Sequence, residues 1–406
     1  MGVPLAGPGF PFIIIILQIT GALYDVAVIG GTLYDVAVIG GGLAGLSLSI
    51  NLADKGYSVL LLEKETYPFN RVCGEYISME SWPFLERLGI PLGELSLPRI
   101  HTLTVSAPDG YSLTHPLSMG GFGISRYTLD ALLAERAISR GVTLYTGNKV
   151  TGVTFTGEEF QVLSAKGAFR AKVAVGSFGK RSNLDVRLRR PFIRQQGGKL
   201  NNYIGIKYHI RIDLPPGQIG LHNFENGYCG VSAVEEDKYC LCYLTTAANL
   251  EKNGNSIAQM EQRVLRRNPH LQDIFTRAEF IRPKPESIAR ISFAQKSAVD
   301  HHLLMTGDSA GMISPLCGNG MSMAFRSGVL AMEVIRPFLE GTVSRGQMEY
   351  TYQEAWKRHF SGRMKAGRFI QSFFGKPAPT RLFLQLLKPF PIFIEQIIRR
   401  THGKAF

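Results

Sequence analysis

The chain reads as an α/β protein: a Rossmann-like dinucleotide-binding domain, broken by an inserted β-rich domain and followed by C-terminal helices. Three observations predict this. From Tyr34 the run YDVAVIGGGLAGLSLSINLADKGYSVLLLEKE has the order strand, glycine turn, helix, strand, acid. Far downstream, an apolar stretch at 303–306 leads into GDSAGMISPLCGNGMSMAFRSGVLAMEVI, a second glycine-rich strand-to-helix turn. Between them, from about residue 188 to 290, many apolar and polar residues alternate with the period of strands, as at 203–212 and 239–245.

The first element is the apolar, β-branched run 36–39, which has the composition of a buried parallel strand. Gly40, Gly42 and Gly45 follow as G-x-G-x-x-G. Gly40 allows the tight turn, Gly42 lets backbone approach a pyrophosphate, and Gly45 lets helix pack close to strand. Leu43, Leu46, Ile50 and Ala53 then fall on one helical face. A second strand at 57–62 ends on Glu63, which can accept hydrogen bonds from a ribose. The helix N-terminus turns its N–H donors and positive dipole toward the phosphates. Strand, turn, helix, strand and acid together make this a dinucleotide site; a glycine cluster alone would not.

The residues ahead of this unit are unusual. LYDVAVIGG at 23–31 is repeated identically at 33–41, and only the second copy continues into the glycine motif. The preceding apolar run, 10–19, is too short to span a bilayer as a helix. No basic residue precedes it, so it is a poor secretory signal. Residues 1–32 are therefore expected to be a dispensable extension, with a membrane anchor as the alternative.

The chain has 406 residues, 45% hydrophobic and 19% charged, which describes a globular protein of more than one domain. Its formal net charge of +13 admits nucleic acid, an anionic membrane or anionic ligands as partners. No nucleic-acid motif accompanies the scattered Lys and Arg, so nucleic acid is excluded. Cys73, Cys229, Cys240, Cys242 and Cys317 show neither C-x-x-C nor His spacing. They read as reduced thiols of a cytoplasmic protein, without a metal site.

Further along, YPFNRVCGE at 67–75 is a loop, and 76–124 mixes a short helix with strands. The run 123–140 enters an amphipathic helix with Thr128 as expected N-cap, ended by Gly141. Strands follow at 142–145, 149–156, 160–164 and 169–176, and one helix is expected at about 256–267. The dinucleotide-binding domain is thus expected in three pieces, 33–75, 125–185 and 290–340. Segments 76–124 and 186–289 form the substrate domain, and 341–406 a helical C-terminal segment.

The second turn carries Gly307 and Asp308 after a strand, then Pro315, Gly318 and Gly320 before a helix. Such glycines present N–H groups to an anion, and an acid at a strand end can bind polyol hydroxyls. Two such modules suggest an extended ligand held at both ends. FAD suits this better than NAD, because its ribitol and isoalloxazine lie beyond the pyrophosphate.

Four segments, GGGLAG with Glu63, PFNRVCGE, SRYTLDALL and GDSAGMISPLCGNGM, resemble the FAD-dependent family of aromatic-ring hydroxylases (monooxygenases), geranylgeranyl reductases and flavin-dependent halogenases over about 34–340. The resemblance implies Arg126 near the FAD pyrophosphate, Asp308 at the ribitol, and the loop from Pro315 to Met321 at the pyrimidine edge of the flavin. Arg71 would meet FAD phosphates or a substrate anion, and Val150 belongs to the same cofactor-binding set. Ala310-Gly311, Cys73-Gly74 and Arg326-Ser327-Gly328 are similar to geranylgeranyl reductases, yet their Y-x-W-x-F-P stretch is replaced by GYCGVSAV at 227–234. The tryptophan motif of halogenases is absent. The hydroxylase A-D-G segment appears as Gly176-Ser177-Phe178-Gly179, with Phe for Asp. There is no second G-x-G-x-x-G for a nicotinamide domain.

Lys207, His209 and Tyr228 are the candidate substrate residues: the first two alternate on one strand face and Tyr228 lies in the replaced stretch. A solvated sheet face is the plainer reading for Lys207 and His209. Cys240 and Cys242 fall on one strand face as core. No catalytic side chain is assigned, since the flavin carries the chemistry. The tail from 381 is apolar with basic flanks, as a closing helix, a tunnel cap or a peripheral membrane contact would be. The expected function is an FAD-dependent monooxygenase acting on a lipophilic or phenolic molecule. The alternatives are reduction of an isoprenoid-type double bond and an electron-transferring flavoprotein. NADH, NADPH or a redox partner protein would supply the electrons. A cytoplasmic location, with membrane association open, completes the expectation.

Overall fold

A computed structural model describes residues 15–19, 22–26, 28–194 and 202–406, with side chains at 31–193 and from 202 onward. Of the apolar run 10–19, the first half lies outside the described residues, as does residue 27 of the first sequence copy, and the rest of that copy is described in backbone only. Among the described residues, strands Ile15–Ile19 and Ala22–Val26 pair with each other in a two-stranded sheet.

The glycine motif sits at the centre of an eight-stranded sheet. Val28–Ile39 lies between Val59–Leu62 and Gly167–Gly176, parallel to both. Thr143–Tyr145 continues the parallel run on one side and Leu303–Met305 on the other. Val36, Ala37, Val38 and Leu60 are fully buried, which is why these strands are apolar without alternation. Helix Leu43–Ala53 crosses this sheet and packs against helix Gly320–Leu339.

A nine-stranded sheet forms the second layer. Its central run is antiparallel, from Tyr203–Arg211 through Tyr239–Thr246 and Gly227–Ala233 to Gln218–Phe224. There it meets Arg99–Ser106 in parallel, followed by Ser112–Gly123 and Tyr76–Ser78. Strands from 76–123 and from 203–291 thus share one sheet. Helices Arg345–Phe373, Pro377–Leu387 and Pro391–Thr401 end the chain.

Two local expectations are corrected. Ser125, not Thr128, caps helix Arg126–Ser139: its hydroxyl accepts from the N–H of Thr128. Ser125 has extended backbone, which frees its side chain to reach forward, whereas Thr128 is already helical. The single helix expected at 256–267 is a helix Ile257–Arg263 and a 3₁₀ turn Leu265–Arg267, with a further helix Pro269–Arg277 beyond it. Asn268 and Pro269 restart the chain there, the asparagine as cap and the proline at the first helical position.

Candidate functional site

The two glycine turns open onto one cavity of about 1380 Å³. Gly40 has φ +107°, and a Cβ there would sit 2.3 Å from the Ser177 carbonyl. A Cβ on Gly45 would strike the Gly40 carbonyl at 2.1 Å, so only glycine lets helix and strand approach this closely. Gly42 differs: the nearest neighbour of an added Cβ is Arg126 Nη2, at 3.9 Å. Its side of the turn is left open toward the cavity, as close approach by a ligand requires.

The helices that follow the two glycine turns both lack a side-chain cap. Gly42 precedes Leu43–Ala53 and Asn319 precedes Gly320–Leu339, and neither side chain bonds the first turn. Their leading N–H groups and positive dipole ends are thereby left for an anion. Gly318 at φ +64° makes the second turn. The buried hydroxyl of Thr306, in the cavity wall, has no partner among the described residues. Asp308 also lines the cavity, and its carboxylate makes no hydrogen bond or ion pair among the described residues. Arg190, fully buried, braces this turn by donating to Asp185, Asp300 and the carbonyls of Ser297 and Ser309.

Glu63 is buried and accepts from the N–H of Gly41 at 2.7 Å and of Glu65 at 3.0 Å. Arg71 reaches it at 3.1 Å, and Tyr67 donates to the Gly41 carbonyl. Arg71 and Arg126 both bond the fully buried Asp130, which aims two cations at the cavity beside the first turn. Gly40, Gly42, Glu63, Arg71, Arg126, Val150, Gly307, Asp308, Pro315, Gly318, Gly320 and Met321 all line this single cavity. Gly45 does not line it and serves packing. The residues present therefore match a long dinucleotide gripped at both ends.

From the glycine turns the cavity continues between the nine-stranded sheet and the C-terminal helices. Leu221 and Leu244 line the sheet side, Met312 and Leu316 the middle, and Leu384 and Ile394 the helix side. Tyr228 lies in this wall, its burial pushing the phenol well above the ordinary value. Burial likewise pushes the Cys317 and Cys242 thiols up to about 12, in Cys242 aided by Cys73, so both stay protonated at neutral pH. Cys242 was expected in the core with Cys240; Cys240 is buried, whereas Cys242 reaches the cavity wall.

Lys207 and His209 are not in this wall, which corrects their placement as substrate residues. Lys207 is buried and both side chains bond the carboxylate of Glu75, His209 at 2.6 Å. Burial opposes ionisation of Glu75, but the Lys207 ammonium and the His209 hydrogen bond outweigh it and hold the carboxyl below its usual range. The Glu75 carboxylate also accepts from the N–H of Arg126, so this cluster ties the inserted sheet to the cofactor arginine's helix. Sequence reading passed over Glu75 and Asp130. Asp130 had a signal, an acid four residues after Arg126 on a helix; Glu75 had none, because Arg126, Lys207 and His209 all lie fifty or more residues away. Among the described residues no cluster of acids, histidines or cysteines is placed to hold a metal.

A parallel sheet with uncapped helix starts at two glycine turns, joined by one cavity to an apolar arm, defines a flavin-dependent oxidoreductase. The chain belongs to the FAD binding domain family, matched over residues 33–359, and FAD is its cofactor. It is 25% identical over 392 residues to conditioned medium factor receptor 1 of Dictyostelium discoideum, covering 87% of this chain and 72% of that one. It is also 25% identical to the digeranylgeranylglycerophospholipid reductase of Methanococcus vannielii, over 83% of each. In fold it is similar to the flavin-dependent brominase Bmp2, at TM-score 0.74 and 23% identity, over 92% of this chain and 94% of that one.

Proposed function

We propose that this flavoenzyme is a monooxygenase that hydroxylates a lipophilic or phenolic molecule, whose reacting end meets the flavin while its apolar body fills the arm. The observation that supports this is the continuity of the cavity from Gly42 and Asp308 to Leu384 and Ile394. Its volume exceeds the roughly 300–1,000 Å³ of an ordinary ligand site, so it has room for cofactor and substrate together. Bound and reduced, FAD would pass an electron pair to O₂, placing one oxygen atom in a substrate C–H bond and releasing the other as water. The protein's own residues supply the rest. The backbone at Gly42 receives the pyrophosphate, and Arg71 and Arg126 offset its charge. Glu63 accepts from the ribose and Asp308 from the ribitol hydroxyls. The N–H groups ahead of Gly320 favour negative charge on the reduced ring. Leu244, Met312 and Leu316 exclude water from the reacting centre.

Reduction of an isoprenoid-type double bond is the second reading, favoured by the Cys73-Gly74 loop and by likeness to the Methanococcus vannielii reductase. One experiment separates them. FAD-loaded protein, reduced chemically, is mixed with a long-chain alkylphenol or a polyprenyl alkene, with and without O₂. Hydroxylated phenol under air alone supports monooxygenation. Saturated alkene without O₂ selects the second reading, and product from neither substrate overturns both. Leu221→Trp, which narrows the arm, should raise KM for the long-chain phenol and leave a short phenol unaffected.

A further inference from the structure

The C-terminal helix pair is apolar on two sides. Its inner side supplies Leu384, Leu387, Ile394 and Ile398 to the cavity wall. Its outer side bares Leu382, Leu386, Phe390, Ile392 and Phe393, with Ile392 73% exposed. Pro389 and Phe390 at the junction and Pro391, Ile392 and Phe393 in the first turn of the last helix are all exposed. Water is a poor solvent for such a run, and an exposed apolar patch marks an interaction surface.

The charge around it identifies the partner. From 376 to 406 the chain has six Lys and Arg and one acid, Glu395, which is bonded by Ser118 and Arg399. Lys376, Lys388 and Arg400 are exposed and make no ion pair among the described residues. Lys365, Arg368 and Phe369 continue the pattern on the exposed face of the preceding helix. In a symmetric dimer through this patch, two basic rims would face each other and repel. An anionic bilayer complements both features, taking apolar side chains into the acyl boundary and pairing the amines with headgroups. Among the described residues no helix is long and apolar enough to cross a membrane, so the contact lies on the surface.

We propose that this helix pair docks the protein on an anionic membrane surface, with the exposed run Pro389–Phe393 at the helix junction inserted, and that the same helices admit a lipophilic substrate from the bilayer to the cavity they line. The docking stands apart from the redox chemistry; the entry route rests on the lipophilic substrate proposed above.

Flotation of the FAD-loaded full chain with vesicles tests it. Vesicles of phosphatidylcholine containing phosphatidylglycerol should carry the protein, and pure phosphatidylcholine should bind it at least about ten-fold more weakly. Combined Phe390→Ser, Ile392→Ser and Phe393→Ser should lose about ten-fold or more in binding. Combined Lys376→Glu and Lys388→Glu should do the same. None of these five residues lines the cavity, so flavin spectrum and turnover of a short soluble phenol should persist and report an intact fold. Wild-type protein left unbound by anionic vesicles overturns the docking. So does a concentration-dependent dimer, seen by ultracentrifugation, that the serine variant abolishes. Turnover on the short phenol without vesicle binding would leave the redox reading standing while docking fails.

Discussion

Asp130 grips Arg126 with two hydrogen bonds, 2.7 Å from Nε and 2.8 Å from Nη2, one helical turn apart. The second carboxylate oxygen also takes Arg71 Nε at 3.0 Å. One buried acid thus sets the direction of both cations at the cofactor's phosphate end. Removing it strips the Arg126 guanidinium of its carboxylate partner and leaves Arg71 held by Glu63 and the Gly41 carbonyl, and breaking a buried pair costs about 3–5 kcal/mol. Asp130→Ala should weaken FAD binding by about one to two orders of magnitude, with Asp130→Asn in between, since an amide keeps the shape but loses the charge. Titration of apoprotein followed by flavin fluorescence measures this. Wild-type affinity in the alanine variant would show that neither arginine needs the anchor.

The glycines of the first turn should separate folding from binding. At Gly42 a methyl group meets only Arg126 Nη2, at 3.9 Å. Gly42→Ala apoprotein should therefore melt within a few degrees of wild type while retaining little flavin. Gly42→Val should be colourless. Gly45→Ala puts carbon 2.1 Å from the Gly40 carbonyl and should cost the fold itself about 1–3 kcal/mol. Thermal melts of apo and FAD-loaded protein read both effects. Equal losses of stability in the two alanine variants would contradict the assignment.

Electron supply is expected to be slow from free nicotinamide. The resemblance to the hydroxylases implies an acid beside the nicotinamide where this chain has Phe178, which lines the cavity next to the end of strand Gly167–Gly176. A site that loses a polar partner discriminates strongly against the group it should bind. Anaerobic stopped-flow with NADH or NADPH should show slow, weakly saturable flavin reduction. Fast, tightly saturable reduction without substrate would refute this.

Acid should destabilise the inserted domain through His222. Burial, with the neighbouring His270, pulls its imidazole down to about 3, and its Nδ1 is engaged by Ser106 at 2.9 Å. Between its ordinary value of 6.5 and about 3, the unfolded chain binds a proton that the folded one does not. Stability is thus fully present above 6.5 and falls as pH drops, by about 1.4 kcal/mol per pH unit. His222→Asn should flatten that slope in urea unfolding measured across this window. An unchanged slope would assign the acid loss to other groups.

The dinucleotide turn was legible in the sequence because all its determinants are local. Gly40, Gly42, Gly45 and Glu63 act through strand, turn and helix within one short stretch; backbone geometry dictates glycine at Gly40 and Gly45, and Gly42 keeps the ligand side of the turn open. The second turn was legible for the same reason. Alternation in 203–211 also placed Lys207 and His209 on one strand face. Which face looks into the cavity depends on how the two sheets pack, and packing turned that face toward Glu75, 132 residues from Lys207. The shared grip of Asp130 on Arg71, 59 residues away, is likewise a matter of docking between a loop and a helix. The apolar arm exists only where the C-terminal helices lie over the sheet. Short-range backbone geometry therefore decided the cofactor turns from sequence alone. Contacts between distant segments, governed by the joint burial of apolar faces, decided what surrounds them.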